Sequence, residues 1–197
     1  MPEPAFLVEG QMEQKIIEKI CPGKIVRRIG CNGDKVEMKA VARFIDAQMR
    51  RLKNYSPIII IFDRERRRQS CSSLKLELAA ELDARGHVDR YIIGIPDRTT
   101  ENWILADWQS VCSSRSDFKT FEGCAEQLHG KSELRKLLPT GHLFTETTLG
   151  PELFLLTSAQ RVYERSPSFR DLVDMLNFPC KWLSRIDDRF RFKKPLT

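Results

Sequence analysis

The sequence has little histidine, three residues among 197 (His87, His129 and His142), and its six cysteines (Cys21, Cys31, Cys71, Cys112, Cys124 and Cys180) include no C-x-x-C pair. Structural zinc sites draw on those two residue types at close spacing, so no zinc centre is expected. No apolar run approaches the ~20 residues that a bilayer-spanning helix requires, which excludes a span of that kind. The first residues show no basic stretch followed by an apolar segment, so no secretory signal is expected. The expectation is therefore a cytoplasmic protein with reduced cysteines, without contact to a membrane. A G-x-x-x-x-G-K-[ST] phosphate loop is missing, and so are repeats and low-complexity tracts. Charge is plentiful in both signs: 33 Lys and Arg stand against 27 Asp and Glu, a net +6, which permits nucleic-acid contact without requiring it. With 41% hydrophobic and 30% charged residues, the composition is that of a soluble globular domain, or of one domain with a helical extension.

The stretch with most information is Ile58 to Arg68. Five large apolar residues, Ile58 to Phe62, read as a strand buried on both faces, as in a parallel sheet. Two acids then follow one residue apart, Asp63 and Glu65, among Arg64, Arg66, Arg67 and Arg68. Ligands of open α/β sheets bind beyond the carboxyl ends of the strands. Alternate residues at a strand end can face the same side, so both carboxylates are expected to grip one cation while the arginines engage phosphates. The plainer alternative is a solvated charged loop after a core strand.

Ala5 to Glu9 reads as another buried strand, with Gly10 making the turn into a helix over Glu13 to Ile20. Lys24 to Ile29 reads as a strand, and Glu37 to Leu52 carries apolar residues at helical spacing. Ser72 or Ser73 is expected to cap a helix that Gly86 closes, and Val88 to Ile95 is a fourth strand. Strands alternating with helices imply βαβ units, and the α/β domain is placed at residues 1–110. Residues 110–123 read as a loop. The region 111–197 reads as a helical extension packed on the α/β domain, with a basic tail (Lys181, Arg185, Arg189, Arg191, Lys193 and Lys194) interleaved with Trp182, Phe190 and Phe192. Such a tail suits either a nucleic-acid strand or packing with snorkelling cations.

In a parallel sheet Glu9 and Asp63 end strands at the same edge, and a helix starting after Gly10 can bring Glu13 back over the same crevice. Gathered carboxylates suit a hard divalent cation, Mg²⁺ or Mn²⁺. Without one they repel and raise each other's pKa. Glu101 follows the fourth strand's carboxyl end and is expected to complete the site, although an acid at a helix start is also favoured by the helix dipole. Asp107 is as well explained as a structural hydrogen-bonding residue, and Trp103 as core.

Leu7-Val8-Glu9-Gly10-Gln11-Met12-Glu13 followed by Ile60-Ile61-Phe62-Asp63-Arg64-Glu65 resembles the Toprim fold shared by topoisomerases, primases, recombination proteins and overcoming-lysogenization-defect (OLD) nucleases. The E-G-x-x-E form is most similar to the OLD type, in which both glutamates are implied metal ligands. Thr100 to Asp107 is similar to the E-x-W-x-x-A-D signature of small standalone Toprim-related proteins of uncharacterised function, and Arg165 to Phe169 is similar to their C-terminal part. The resemblance implies a Rossmann-like parallel sheet with flanking helices. It also implies a Mg²⁺- or Mn²⁺-dependent nuclease with Glu9, Asp63, Glu65 and Glu101 catalytic and Glu9, Glu13, Asp63 and Glu65 on metal. Arg64, Arg66, Arg67, Arg68 and Lys131 would contact nucleic acid, with Lys131 or Arg98 the basic residue beside the scissile phosphate. An ATPase subunit in trans, a prophage or anti-phage role and a homo-oligomer belong to the same expectation. Where Toprim domains carry a second aspartate, this chain has Glu65. That departure supports the alternative of a non-catalytic Toprim subunit for assembly or sensing.

Overall fold

The computed structural model describes residues 2–31, 35–178 and 180–187. Four short strands, β1 (Ala5–Val8), β2 (Ile25–Arg28), β3 (Ile58–Ile61) and β4 (Tyr91–Gly94), form one sheet in the order β2-β1-β3-β4, and every pair is parallel. β1 and β3 are buried along their whole length, as their unbroken apolar runs require. β2 lies at an edge and exposes Ile25, Arg27 and Arg28. The chain leaves β1 for one edge and returns to β3 on the other side of β1. The strand order therefore reverses between β1 and β3, where a Rossmann-like sheet opens a crevice.

Alternation along the central strands feeds two apolar layers. Leu7, Ile58 and Ile60 pack with α2 (Met38–Arg51) and α3 (Cys71–Asp83). Phe6, Val8, Ile59 and Ile61 face the other way, onto α1 (Gln11–Ile20) and the C-terminal helices. Those helices are α4 (Glu101–Ala106), α5 (Trp108–Ser114), α6 (Gly130–Leu137), α7 (Leu149–Leu156), α8 (Ala159–Arg165), α9 (Pro167–Val173) and a 3-10 turn at Leu183–Arg185. A boundary at residue 110 would fall inside α5, and the segment beyond it supplies the cover for one whole sheet face.

Several local expectations change. The predicted loop over 110–123 is helical as far as Ser114, because Trp108 and Val111 are buried beside the core. Ser70, not Ser72 or Ser73, caps α3, accepting from the Ser73 N–H at 3.1 Å. The fourth strand is limited to Tyr91–Gly94. Cys21 and Cys180 are joined in a disulfide, which corrects the reduced-cysteine expectation for that pair; Cys31, Cys71, Cys112 and Cys124 are free thiols. Packing of α1 against the C-terminal segment brings the two sulfurs together, a contact no spacing rule reveals. No helix among the described residues is long and apolar enough to cross a membrane. In the basic tail, Trp182 is buried, while Arg189, Phe190, Arg191, Phe192, Lys193 and Lys194 lie outside the described residues.

Burial of both sheet faces sets a measurable expectation. Ile59→Ala and Ile60→Ala, which open cavities under opposite layers, should each lower the unfolding free energy by roughly 2–5 kcal/mol in urea titrations. A cost below about 1 kcal/mol for Ile59→Ala alone would mean that the C-terminal helices do not close that face.

Candidate functional site

β1 and β3 run side by side with Val8 opposite Ile61, so the residues after them leave the sheet together. The Glu9 N–H donates to the Ile61 carbonyl at 3.0 Å, and the Asp63 N–H donates to Glu9 Oε2 at 2.8 Å. Glu9 is thus pinned across the switch point. Gly10 precedes α1, and Glu13 in the first turn folds back so that its Oε2 accepts the Gly10 N–H at 3.0 Å. A Cβ at position 10 would stand 2.6 Å from that oxygen, so glycine here is what lets the Glu13 carboxylate turn inward. Asp63 is buried, and its Oδ1 accepts both the N–H and the hydroxyl of Thr100, each at 3.0 Å. Thr100 leads into α4, whose first residue is Glu101, 1% exposed and with no hydrogen-bond partner for Oε2 among the described residues.

Lys131 completes the cluster from a distant part of the chain. It follows Gly130 at the start of α6, where a Cβ would meet the Asn102 N, the Thr99 Oγ1 and the Glu101 carbonyl carbon at 2.8 to 2.9 Å. Only glycine permits that approach of α6 to α4. The buried Asn102 ties the segment before α6 down: its Oδ1 accepts from the Thr99 N–H at 3.0 Å, and its Nδ2 donates to the Ala125 and Leu128 carbonyls. Glu126, in the same segment, accepts from the hydroxyls of Ser166 and Ser168 at 2.6 and 2.9 Å. Lys131 also pairs with Glu146 at 3.3 Å.

The electrostatics follow from this crowding. Burial, then the negative charges of Glu13, Glu101 and Glu9, push Asp63 well above the usual carboxylate range, with Lys131 opposing. Burial pushes Glu101 up to about 7, while Lys131 and a hydrogen bond with Thr99 pull it back. Burial by itself would lower Lys131, but Glu101, Glu146 and Asp63 outweigh it and hold the ammonium above its ordinary value. Three buried carboxylates, Glu13, Asp63 and Glu101, and the half-buried Glu9 therefore share one neighbourhood, with the Lys131 ammonium opposing their effect on Asp63. Their donor chemistry fits a hard divalent ion, and the unpartnered Glu101 Oε2 is the kind of oxygen such an ion would satisfy. Among the described residues, however, no three Asp, Glu, His or Cys side chains already stand as a group able to hold a metal. The carboxylates would have to draw together around the ion.

The structure thus gathers Glu9, Glu13, Asp63, Glu101 and Lys131. It does not gather Glu65. β3 ends at Ile61, and Glu65 adopts a left-handed backbone with φ 51°, so strand alternation no longer governs where it points. Its N–H donates to the Arg98 carbonyl at 2.6 Å, and the Arg98 guanidinium donates to the Glu65 carbonyl at 3.0 Å. The charges that shift Asp63 most are those of Glu13, Glu101, Glu9 and Lys131. Arg98 is likewise committed to this loop. The arginines divide: Arg64 is buried on Asp97 at 2.9 Å and Arg67 is buried on the Asp63 carbonyl at 3.1 Å, whereas Arg66 and Arg68 are exposed. Arg64 and Arg67 therefore brace the loop that presents Asp63. Asp107 is fully buried and accepts the Ser158 N–H at 2.7 Å, and Trp103 is core with its indole N–H on Ser168 at 3.0 Å.

A family model described as Domain of unknown function (DUF4276) matches residues 8–177. The chain belongs to that family. No curated protein and no solved structure matches it. The matched span of this DUF4276 member includes every residue of the cluster, and also Glu126, Ser166 and Ser168, which anchor α6 from outside it. Thr100, Asn102 and Gly130 are the working residues that pattern reading overlooked. Thr100 immediately precedes the E-x-W-x-x-A-D stretch and Asn102 lies inside it, both next to Glu101, and that adjacency was the available signal.

Two outcomes follow for the metal-free DUF4276 protein. Glu101 has a raised pKa in the folded state, so its protonation stabilises the fold below about pH 4.5, and that contribution is lost as pH rises through about 7. The parent should lose stability between those values, and Glu101→Gln should remove on the order of 2–3 kcal/mol of that loss, read from urea midpoints at pH 5 and pH 8. Gly130→Ala should push α6 from α4 and withdraw Lys131, costing about 1–3 kcal/mol by overpacking. An unshifted melting temperature for that variant would contradict the close approach.

Proposed function

We propose that this chain is a divalent-cation-dependent hydrolase of nucleic-acid phosphodiester bonds. The reading rests on one observation: the carboxylates of Glu9, Glu13, Asp63 and Glu101 lie together at the β1–β3 switch point, with the Lys131 ammonium acting on Asp63 and Glu101. The resemblance of E-G-x-x-E and D-x-E to Toprim nucleases supports it. Glu9, Glu13, Asp63 and Glu101 would hold Mg²⁺ or Mn²⁺, which when bound neutralises phosphate charge and activates water. Lys131 sets an ammonium against the negative charge that builds on the phosphate oxygens as water attacks and the bridging oxygen departs. Glu101 would lie beside that water and is suited to take its proton on whichever carboxylate oxygen the ion leaves free. Thr100 keeps Asp63 from turning away. The same resemblance supports an ATPase in a separate subunit and a role in anti-phage defence.

The placement of Glu65 favours one rival, a non-catalytic subunit for assembly or sensing in which the acid cluster is a relic. The experiment is incubation with Mn²⁺ or Mg²⁺ and a panel of single- and double-stranded DNA and RNA, with melting curves run alongside. Cleavage by the parent should fall at least about 100-fold in Asp63→Ala and Glu101→Gln, and about 10- to 100-fold in Lys131→Ala. Mn²⁺ should raise the parent's melting temperature but not that of Asp63→Ala. An inert parent whose melting Mn²⁺ leaves unchanged would transfer the argument to the rival.

A further inference from the structure

Beside the acid cluster, and sharing Glu9 with it, an open cleft of about 680 Å³ runs over the β2 edge of the sheet. Arg27 and Arg28, successive residues of the edge strand β2 whose side chains leave opposite faces, line it together with Gln48 and Arg51 near the end of α2. Gln14 from α1 also lines it, and Glu9 is its acidic residue. Sheet register fixes its direction: Arg27 lies opposite Leu7 and Arg28 opposite Val8, so the arginine pair ends one residue short of Glu9.

The three guanidinium groups are exposed and make no ion pair or side-chain hydrogen bond among the described residues. That sets them apart from Arg64 and Arg67, which are buried on Asp97 and on backbone carbonyls, and from Arg50, paired with Asp46 at 2.9 Å. Unpaired arginines crowded along one cleft repel each other, and an anion relieves that repulsion. Guanidinium groups donate in a planar fork that matches phosphate oxygens, while the two glutamine amides both donate and accept, as sugar and base groups require. Three cations from two elements, β2 and α2, along a cleft of this size exceed what one phosphate needs and suit a run of them.

We propose that this cleft is a binding track for the phosphodiester backbone of a nucleic-acid strand, which Arg27, Arg28 and Arg51 hold and direct towards Glu9. The assignment rests on the hydrolase reading for the identity of the polyanion. It also moves backbone contact from the Arg64–Arg68 loop, half of which is interior, to a surface on the other side of β1.

Binding can be read without turnover. The probes are a dye-labelled single-stranded oligonucleotide, the same sequence as a duplex, and inorganic polyphosphate, followed by anisotropy in EDTA between roughly 50 and 200 mM salt. Arg27→Ala/Arg28→Ala/Arg51→Ala should weaken binding of at least one nucleic-acid probe about 10- to 100-fold and lower the salt slope by roughly 2 to 3, at 0.7–0.9 per lost phosphate contact. The corresponding triple lysine variant should recover most of the affinity, and loss of equal charge at Lys53, Lys75 and Arg85, outside the cleft, should change it about twofold or less. Melting curves verify that each variant is folded. Unchanged affinity and slope in the triple alanine variant would overturn the proposal, as would preference for polyphosphate over both nucleic acids. The two readings fail separately. A parent that binds through the cleft but never cleaves refutes the hydrolase and keeps the track, and a triple variant that cleaves undiminished does the reverse.

Discussion

The constraint on which the rest of this structure depends is repulsion among carboxylates held away from water. Asp63 is buried with the charges of Glu9, Glu13 and Glu101 acting on it and Lys131 as the opposing cation. Such an arrangement costs several kcal/mol relative to solvated acids unless protons, hydrogen bonds or a cation relieve it. Part of the relief is visible as specific bonds: Asp63 N–H to Glu9, Thr100 to Asp63, Gly10 N–H to Glu13. All but the Thr100 hydroxyl bond are donated by backbone at the end of a strand or the start of a helix, where N–H groups lack partners within their own element. The fold places its unsatisfied donors and its surplus acids at the same crevice.

Lys131 shows how far the scaffold extends to support that crevice. Its helix reaches the acids only because Gly130 has no side chain, and the segment before it is tied by Asn102 on one side and by Ser166 and Ser168, through Glu126, on the other. Ser166 also caps α9, accepting from the Phe169 N–H at 3.3 Å. The C-terminal helices thus do two things with one set of contacts: they bury the Ile59 and Ile61 face of the sheet, and they hold the Lys131 ammonium that opposes the negative charge around Asp63. A detached helical tail would do neither.

The basic residues follow a similar division. Guanidinium groups directly after β3 lie where carbonyl oxygens and Asp97 are available, and the loop closes on Arg64 and Arg67. The loop's outward pair, Arg66 and Arg68, and the cleft residues on β2 and α2 carry the exposed positive charge near the acids. Net charge counts all of these alike, yet only the exposed ones are in a position to meet a polyanion.

Local pattern accounts for much of this protein. The Ile58–Phe62 and Ala5–Val8 runs specify strands buried on both faces, βαβ alternation makes the sheet parallel, and parallel strands put Glu9 and Asp63 at one edge. Each step follows from chain-local periodicity and the handedness of connections. The Glu-Gly-x-x-Glu spacing likewise contains the first helical turn that returns Glu13 to its own strand end. Tertiary structure decided the rest. The left-handed turn at Glu65 broke the alternation that would have paired it with Asp63, because Arg98 from the loop after β4 holds that backbone. The Cys21–Cys180 bond, the burial of Arg64 and Arg67, and the arrival of Lys131 beside Glu101 depend on which segments pack together across more than a hundred residues or across separate loops. A sequence determines periodicity residue by residue; partners brought together by packing are set only when every layer has closed.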